Sequence, residues 1–368
     1  MSAPVSVEEQ ADGGTAGSAR HRLGWATRAL LPAFLGILLF SVLAVVPLPF
    51  AIMKPGPVRD TLGEYRGEPL IQVDGHPTYP TDGALELTTV SVFGGPGGDV
   101  FALDVLLAWL RPEESVLPED EVFPPDVTEQ DIEQRNAEEM VSSQENATAA
   151  AMHELGIPVP TTLTVAGFSP GSDAEEVLAE GDVVLAVDGQ EVPDLPQLRD
   201  RMQQVDPGDP VTVRVERDGA PVEVEVTTTS GPEGETLLGV LIDPRYEFPF
   251  DVSIQIEDIG GPSAGLMFAL GIVDKLTPGA MTGGERIAGT GTIDSSGRVG
   301  PIGGIRQKLV GAASSGATHF LAPAGNCDEV VGAVPEGLQV VRVETLGEAR
   351  DAVEAIADGA DADLPTCR

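Results

Sequence analysis

The chain has 368 residues, enough for about two domains, and 42% of it is apolar, so real hydrophobic cores are expected. Acidic residues outnumber basic ones 59 to 21, a formal charge of −38 that argues against nucleic acid and anionic lipid surfaces as partners. Two cysteines, Cys327 and Cys367, specify no disulfide framework, and one bridge or two unreacted thiols fit equally well.

Residues 1–28 are small and polar with a few arginines, and read as a disordered cytoplasmic tail. From Ala29 to Ile52 the chain is almost wholly apolar and uncharged. That length predicts a transmembrane helix, since a bilayer core is about 30 Å thick. A cleaved signal peptide fits less well, because the run exceeds an ordinary apolar leader core and Pro47-Leu-Pro49 makes a poor cleavage site. Arg20, Arg22 and Arg28 precede the run, so the N-terminus is expected in the cytoplasm and everything after residue 53 outside the cell membrane.

Pro69–Val73 and Ala84–Val92 read as strands, and Phe101–Leu110 has helical apolar spacing. Glu113–Pro125 reads as an acidic loop bearing prolines. A long helix is predicted from Thr128 to Leu155, rich in Ala, Glu and Gln, and Gly156-Ile-Pro158 closes it. The sequon Asn146-Ala-Thr148 falls inside that helix and carries no weight.

Residues 158–232 form a separate unit. It comprises a strand over Thr161–Ala166, a helix over Ala174–Ala179, a strand over Asp182–Val187, a helix over Leu195–Gln204, and a hairpin of Val211–Arg217 with Val222–Thr228 turned at Asp218-Gly219. Ser169-Pro-Gly-Ser172, followed by Val177-Leu-Ala-Glu-Gly-Asp-Val-Val-Leu-Ala-Val-Asp-Gly-Gln-Glu-Val192, resembles a PDZ domain of the bacterial protease-associated type. The resemblance implies that extended peptide ends add as a strand to an open sheet edge, expected near Thr161–Phe168.

The last third, 236–365, reads as strands Leu238–Ile242 and Val252–Ile256, a helix over Ala264–Val273, the segment Gly289–Ile293, a helix over Ile305–Ser315 and a strand over Thr318–Ala322. The overall class is α+β. Ser263 follows Gly-Gly-Pro and opens an apolar helix, which places its hydroxyl beside backbone N–H groups without intrahelical partners. Gly261, Ser263 and Ala264 are the candidate donors of such an oxyanion hole. Lys308 lies 45 residues on and is one of only three lysines in a chain with 18 arginines. A buried lysine can lose its proton near neutral pH and serve as a base for a serine, which arginine cannot do.

Pro262-Ser-Ala-Gly265, and the run from Thr290 through Pro301-Ile-Gly-Gly-Ile-Arg-Gln-Lys308 to Ala313, resemble the proteolytic domain of the Lon family of Ser-Lys endopeptidases. The resemblance implies a mixed α/β fold in which Ser263 is the nucleophile, Lys308 the general base and Thr290 the residue that holds the lysine. It also implies a homo-oligomer, a hexamer. Many Lon domains carry an acid three positions before the serine, where this chain has Gly260, with Asp258 two further back. Leu70-Ile-Gln-Val73 and Gly83-Ala-Leu-Glu-Leu-Thr88 are similar to the first strands of a Lon domain. Residues 65–156 are therefore expected to form the first part of that fold, with the PDZ unit inserted within it. Membrane-anchored PDZ-plus-Lon proteins of this layout make up the YlbL-type family, which the chain resembles over most of residues 25–345. No Gly-x-x-x-x-Gly-Lys-Ser/Thr occurs, so the expected chemistry is ATP-independent, with no cofactor and no metal.

Two rival readings remain open at the level of sequence. Gly261-Pro-Ser-Ala-Gly265 also fits the Gly-x-Ser-x-Gly elbow of α/β-hydrolases, with His319 downstream in the right order. His21, His76 and His153 make no metal-ligand spacing. A tethered PDZ scaffold that binds peptide ends without cutting them is the non-enzymatic alternative.

Overall fold

The computed structural model describes residues 32, 34–41, 43–124, 127–231, 234–257, 259–360 and 363–368. The chain divides into two units, Met1–Ile52 with Phe93–Pro124 and Met53–Val92 with Pro125–Arg368. In chain order the main elements begin with strands β1 Pro47–Leu48, β2 Phe50–Asp60, β3 Ile71–Asp74, β4 Ala84–Phe93 and β5 Val100–Phe101. Helix α1 Ala102–Trp109, strand β6 Ser115–Pro118 and helix α2 Glu129–Glu154 follow. Next come β7 Thr161–Phe168, β8 Val183–Val187, α3 Leu195–Met202, β9 Pro210–Arg217, β10 Ala220–Thr227 and β11 Val240–Tyr246. The chain ends with β12 Asp251–Ile254, α4 Gly265–Leu276, β13 Arg286–Gly289, β14 Thr292–Ile293, β15 Val299–Gly300, α5 Ile305–Ser315, β16 His319–Pro323, β17 Gln339–Val343 and α6 Leu346–Ala357.

In the first unit, residues 34–41 are helical. The helix expected over 29–52 does not continue to its predicted end. Pro47–Leu48 pairs with β5, and β2 starts at Phe50, because Pro47 and Pro49 lack the N–H donors a helix needs and Ile52 packs instead on Val100, Val105 and Ala108. Among the described residues no helix is long and apolar enough to cross a membrane. Residues 29–31, 33 and 42 of the expected span, and the tail 1–28, lie outside the described residues. The acidic loop expected over 113–125 contains β6 and a single helical turn at Glu119–Val122, since Val116 joins the same small core.

The second unit is built on a sheet of order β17-β16-β13-β4-β2, in which β13 runs parallel to both β4 and β16, and β16 parallel to β17. Its middle strands are largely buried, as parallel strands covered by helices must be, although Glu86 and Thr88 of β4 and His319 of β16 are buried polar residues. Strand β4 precedes the PDZ segment and β13 follows it, with Leu85 opposite Ile287 and Leu87 opposite Gly289. Strand β3 likewise pairs antiparallel with β12. Helix α4 is buried along almost its whole length, and α2 lies against it through the small residues Ala147, Ala150 and Ala151. Thr128 caps α2, accepting from the Asp131 N–H and receiving the Asp131 side chain in return.

Residues 161–246 hold a second sheet of order β10-β9-β8-β7-β11 around its own core of Leu163, Val165, Val184, Val213 and Val215. The β9–β10 hairpin turns through Asp218 and Gly219, both left-handed, which suits a tight primed turn. Two expectations change here. The helix over Ala174–Ala179 is a single 3-10 turn, Asp173–Glu176. Of Leu238–Ile242, expected as a strand opening the C-terminal domain, Val240–Ile242 belong to β11, which pairs with β7 from Val240–Phe168 to Tyr246–Thr161 and completes this sheet. Cys327 and Cys367 are joined in a disulfide with Cα atoms 4.9 Å apart.

Candidate active site

Ser263 sits in the loop between β12 and α4, and that loop is held from two sides. From α2, the Asn136 carbonyl accepts from the Gly261 N–H at 3.1 Å, and the Ser143 hydroxyl donates to the Pro262 carbonyl at 3.1 Å. From the segment after β13, the Gly291 N–H and the Thr290 hydroxyl both donate to the Ser263 carbonyl at 2.9 Å. Gly261 has φ +84, a left-handed backbone that disfavours any side chain. A Cβ on Gly260 would lie 2.7 Å from the Cβ of Asn136, so α2 leaves no room there for the acid that many Lon domains carry. Asp258 lies outside the described residues.

Helix α4 starts without a side-chain cap. Its early donors are shared out: the Gly265 N–H reaches the Pro262 carbonyl at 3.3 Å and the Leu266 N–H the Gly291 carbonyl at 3.1 Å. Of the three expected oxyanion donors, Gly261 is taken, because Asn136 on α2 engages its N–H. The N–H groups of Ser263 and Ala264 have no carbonyl partner among the described residues, and they are the pair free to bind a developing oxyanion.

Lys308 stands one turn into α5, whose start Gly304 defines with a left-handed backbone. It is 2% exposed. Its Nζ lies 2.7 Å from Ser263 Oγ and 2.8 Å from Thr290 Oγ1. Thr290 is fully buried, and its one hydroxyl proton goes to the Ser263 carbonyl, so towards Lys308 it can only accept. One N–H of the amine is thereby fixed on Thr290, and another direction of the nitrogen points at Ser263 Oγ. Burial pushes the Lys308 amine down from its usual 10.5 to about 7. The positive end of the α5 dipole acts in the same direction. The geometry thus offers a neutral amine beside a serine hydroxyl at physiological pH.

Both groups open on a cavity of about 250 Å³. The strand end Thr88–Ser91 of β4 lies on one side, and Ile259, Gly260 and Ala264 on the other. Every described lining residue other than Lys308 is uncharged, so no charge among the described residues of the cavity compensates the ammonium. His319 does not line this cavity. It is buried on β16, with Nδ1 3.0 Å from Thr318 Oγ1, so the hydrolase arrangement lacks its base at Ser263.

Sequence reasoning missed Asn136 and Ser143, the two α2 residues that hold the loop. The available signal was their spacing of seven, two helical turns, which puts two polar residues on one line along the helix.

The peptide edge also moves. Strand β7, where the groove was expected, has both edges taken, by β8 and β11. Strand β11 ends the sheet and leaves its outer edge unpaired among the described residues, with Leu241 57% exposed beside it.

The PDZ domain family matches residues 141–228, and the Lon protease (S16) C-terminal proteolytic domain matches residues 257–354. Lon protease 1 of Bacillus subtilis is 33% identical over 114 residues, and the Lon protease of Clostridioides difficile 36% over 114 residues. Each alignment covers 29% of this chain and 14% of the relative, so the chain spans a small part of the curated Lon proteases it matches. The crystal structure of the PDZ domain of the SdrC-like protein of Listeria monocytogenes is 18% identical with a TM-score of 0.21, over 22% of this chain and 85% of that one. The protein carries a PDZ domain and a Lon-type proteolytic domain of the serine peptidase class within a mixed α/β fold.

Proposed function

We propose that the protein is a membrane-anchored, ATP-independent serine endopeptidase. The observation that carries the reading is the 2.7 Å approach of a buried lysine, its pKa lowered to about 7, to Ser263 Oγ. Neutral Lys308 takes the hydroxyl proton as Ser263 Oγ attacks the scissile carbonyl. The N–H groups of Ser263 and Ala264 stabilise the oxyanion, and Thr290 keeps the new ammonium oriented. Lys308 then returns the proton to the leaving amine, and a water activated by the same amine releases the acyl group.

Substrate ends are taken up by the PDZ domain through strand addition to the open edge of β11. Val240–Tyr246 leads through β12 into the Ser263 loop, so a docked chain is tethered 17 residues from the serine. The apolar run from Ala29 supports a single anchor with the N-terminus in the cytoplasm, and the Cys327–Cys367 bridge supports an oxidising, extracytoplasmic side for the peptidase. The absence of a phosphate-binding loop from the 368 residues supports hydrolysis without ATP. The likeness to Lon domains supports assembly as a homo-oligomer, a hexamer.

The test is cleavage of an unfolded protein by the full chain in detergent, with apyrase present. Ser263→Ala and Lys308→Ala should each lose about 10³-fold or more in rate, while His319→Ala stays active. Full activity of Lys308→Ala would overturn the dyad, and a rate that falls with apyrase would overturn the ATP-independent reading.

A further inference from the structure

The first unit contains a helix, α1, whose outer face is largely apolar. Val105 and Ala108 of α1 are buried against Ile52 and Val100, whereas Leu106, Leu107, Trp109 and Leu110 are between 40% and 73% exposed. A short helix with an apolar inner stripe and an equally apolar outer face is suited to a second apolar medium, not to water. No charge interrupts that face. Asp104, the one charged residue of α1, accepts from the Phe101 N–H at the helix start, and the following Arg111 is paired with Glu114 at 2.7 Å.

The occupant is indicated by what α1 is tied to. The Ala102 N–H donates to the Val46 carbonyl at 3.2 Å, and Pro47 and Leu48 pair with Phe101 and Val100. The first residue of α1 is therefore bonded to the end of the apolar run. Within that run the helical residues Phe34, Leu35, Ile37, Leu38, Leu39 and Phe40 are all exposed, around the whole helix. With eight residues α1 is about 12 Å long, so its outer face stays within that distance of the point where the run ends. Tryptophan at such a depth suits the headgroup layer, where its ring is half in hydrocarbon and its N–H reaches water.

We propose that Leu106, Leu107, Trp109 and Leu110 of α1 lie in the interfacial layer of a lipid bilayer, as a second foothold beside the apolar segment that ends at Val46. The proposal rests on the membrane-anchored reading above. With the surrounding protein strongly acidic, the lipid that fits is zwitterionic.

The chain has two tryptophans, Trp25 and Trp109, so full-length Trp25→Phe reports Trp109 alone. This variant is reconstituted into phosphatidylcholine vesicles and recovered by flotation. The expected result is a blue-shifted Trp109 emission, quenched more strongly by lipids brominated near the headgroup end of the acyl chain than near its terminus, and protected from acrylamide. Adding Leu107→Asp and Leu110→Asp should leave flotation intact and abolish the lipid quenching. Protein that floats while Trp109 is not quenched by any brominated lipid overturns the interfacial face and leaves the anchor standing, whether water or a second copy covers α1. Protein that does not float overturns both.

Discussion

At Ser263 the hydroxyl and carbonyl are held by assigned partners, whereas along the outer edge of β11 a row of backbone groups has none among the described residues. The serine carbonyl is held twice, Thr290 is spent on both sides, and Lys308 has no carboxylate partner among the described residues to keep it charged. The outer edge of β11 is left open, with Leu241 exposed beside it. The difference is one of timing. A reacting group must be oriented before the substrate arrives, because orientation gained during the reaction adds to the barrier. A docking strand gains its order from the chain it binds, so its hydrogen bonds are deferred.

The largest test of this contrast is at Lys308. Lys308→Met should abolish cleavage and at the same time raise stability below pH 7. The sign follows from the lowered pKa: the unfolded chain binds the lysine proton up to about pH 10.5 and the folded one only to about 7, so the penalty of the buried amine is full below pH 7 and fades as pH rises through that window. The gain at pH 6 is on the order of a few kcal/mol, read as a higher denaturant midpoint. A variant less stable than wild type at pH 6 would mean that the ammonium is compensated after all.

For the wild type, kcat/KM should rise with pH through an apparent pKa of about 7, as the amine becomes the base. Thr290→Val keeps the shape but removes the acceptor for Lys308 Nζ, and should cost about 10–100-fold in kcat with a displaced pH profile. An unchanged profile would reduce Thr290 to packing.

Ser143→Ala deletes one bond to the Pro262 carbonyl. It should lower kcat roughly 10-fold at nearly constant KM, since it loosens the serine without touching substrate. A rise in KM alone would instead make α2 part of the substrate wall.

The smallest effect is expected at the open edge. Leu241→Glu should raise KM for a long unfolded substrate about 5-fold, equivalent to about 1 kcal/mol, and leave cleavage of a short peptide unchanged. Equal effects on both would remove the docking role from β11.

Much of this was legible from local signals. Gly and Pro punctuation and apolar periodicity located α2, α4, α5 and the β9–β10 hairpin within a few residues, and the Ser263, Lys308 and Thr290 motifs pointed to residues that the fold brings together, with Lys308 Nζ 2.7 Å from Ser263 Oγ and 2.8 Å from Thr290 Oγ1. Each of these depends on neighbours in sequence, through helix caps, turns and side-chain type. The errors share a different cause. Strand β11 was assigned to the wrong sheet because its alternating pattern fits either one, and its partner β7 lies more than 70 residues away. The apolar run was read past Pro47, although Ile52 packs on Val100 and Val105, contacts that hydropathy cannot anticipate.

What the sequence by itself determined, then, is the chemistry available: a serine at an uncapped helix start, a lysine on an apolar helix, and a threonine between them. Tertiary structure decided which groups are free to act. It spent the Gly261 N–H on Asn136, closed both edges of β7, left β11 open and joined Cys327 to Cys367. The physical reason is that desolvation and hydrogen-bond competition depend on which distant segments arrive beside a group, and only packing settles that. Lys308 shows both sides: its identity makes a base possible, and the burial that brings its pKa to about 7 makes it one.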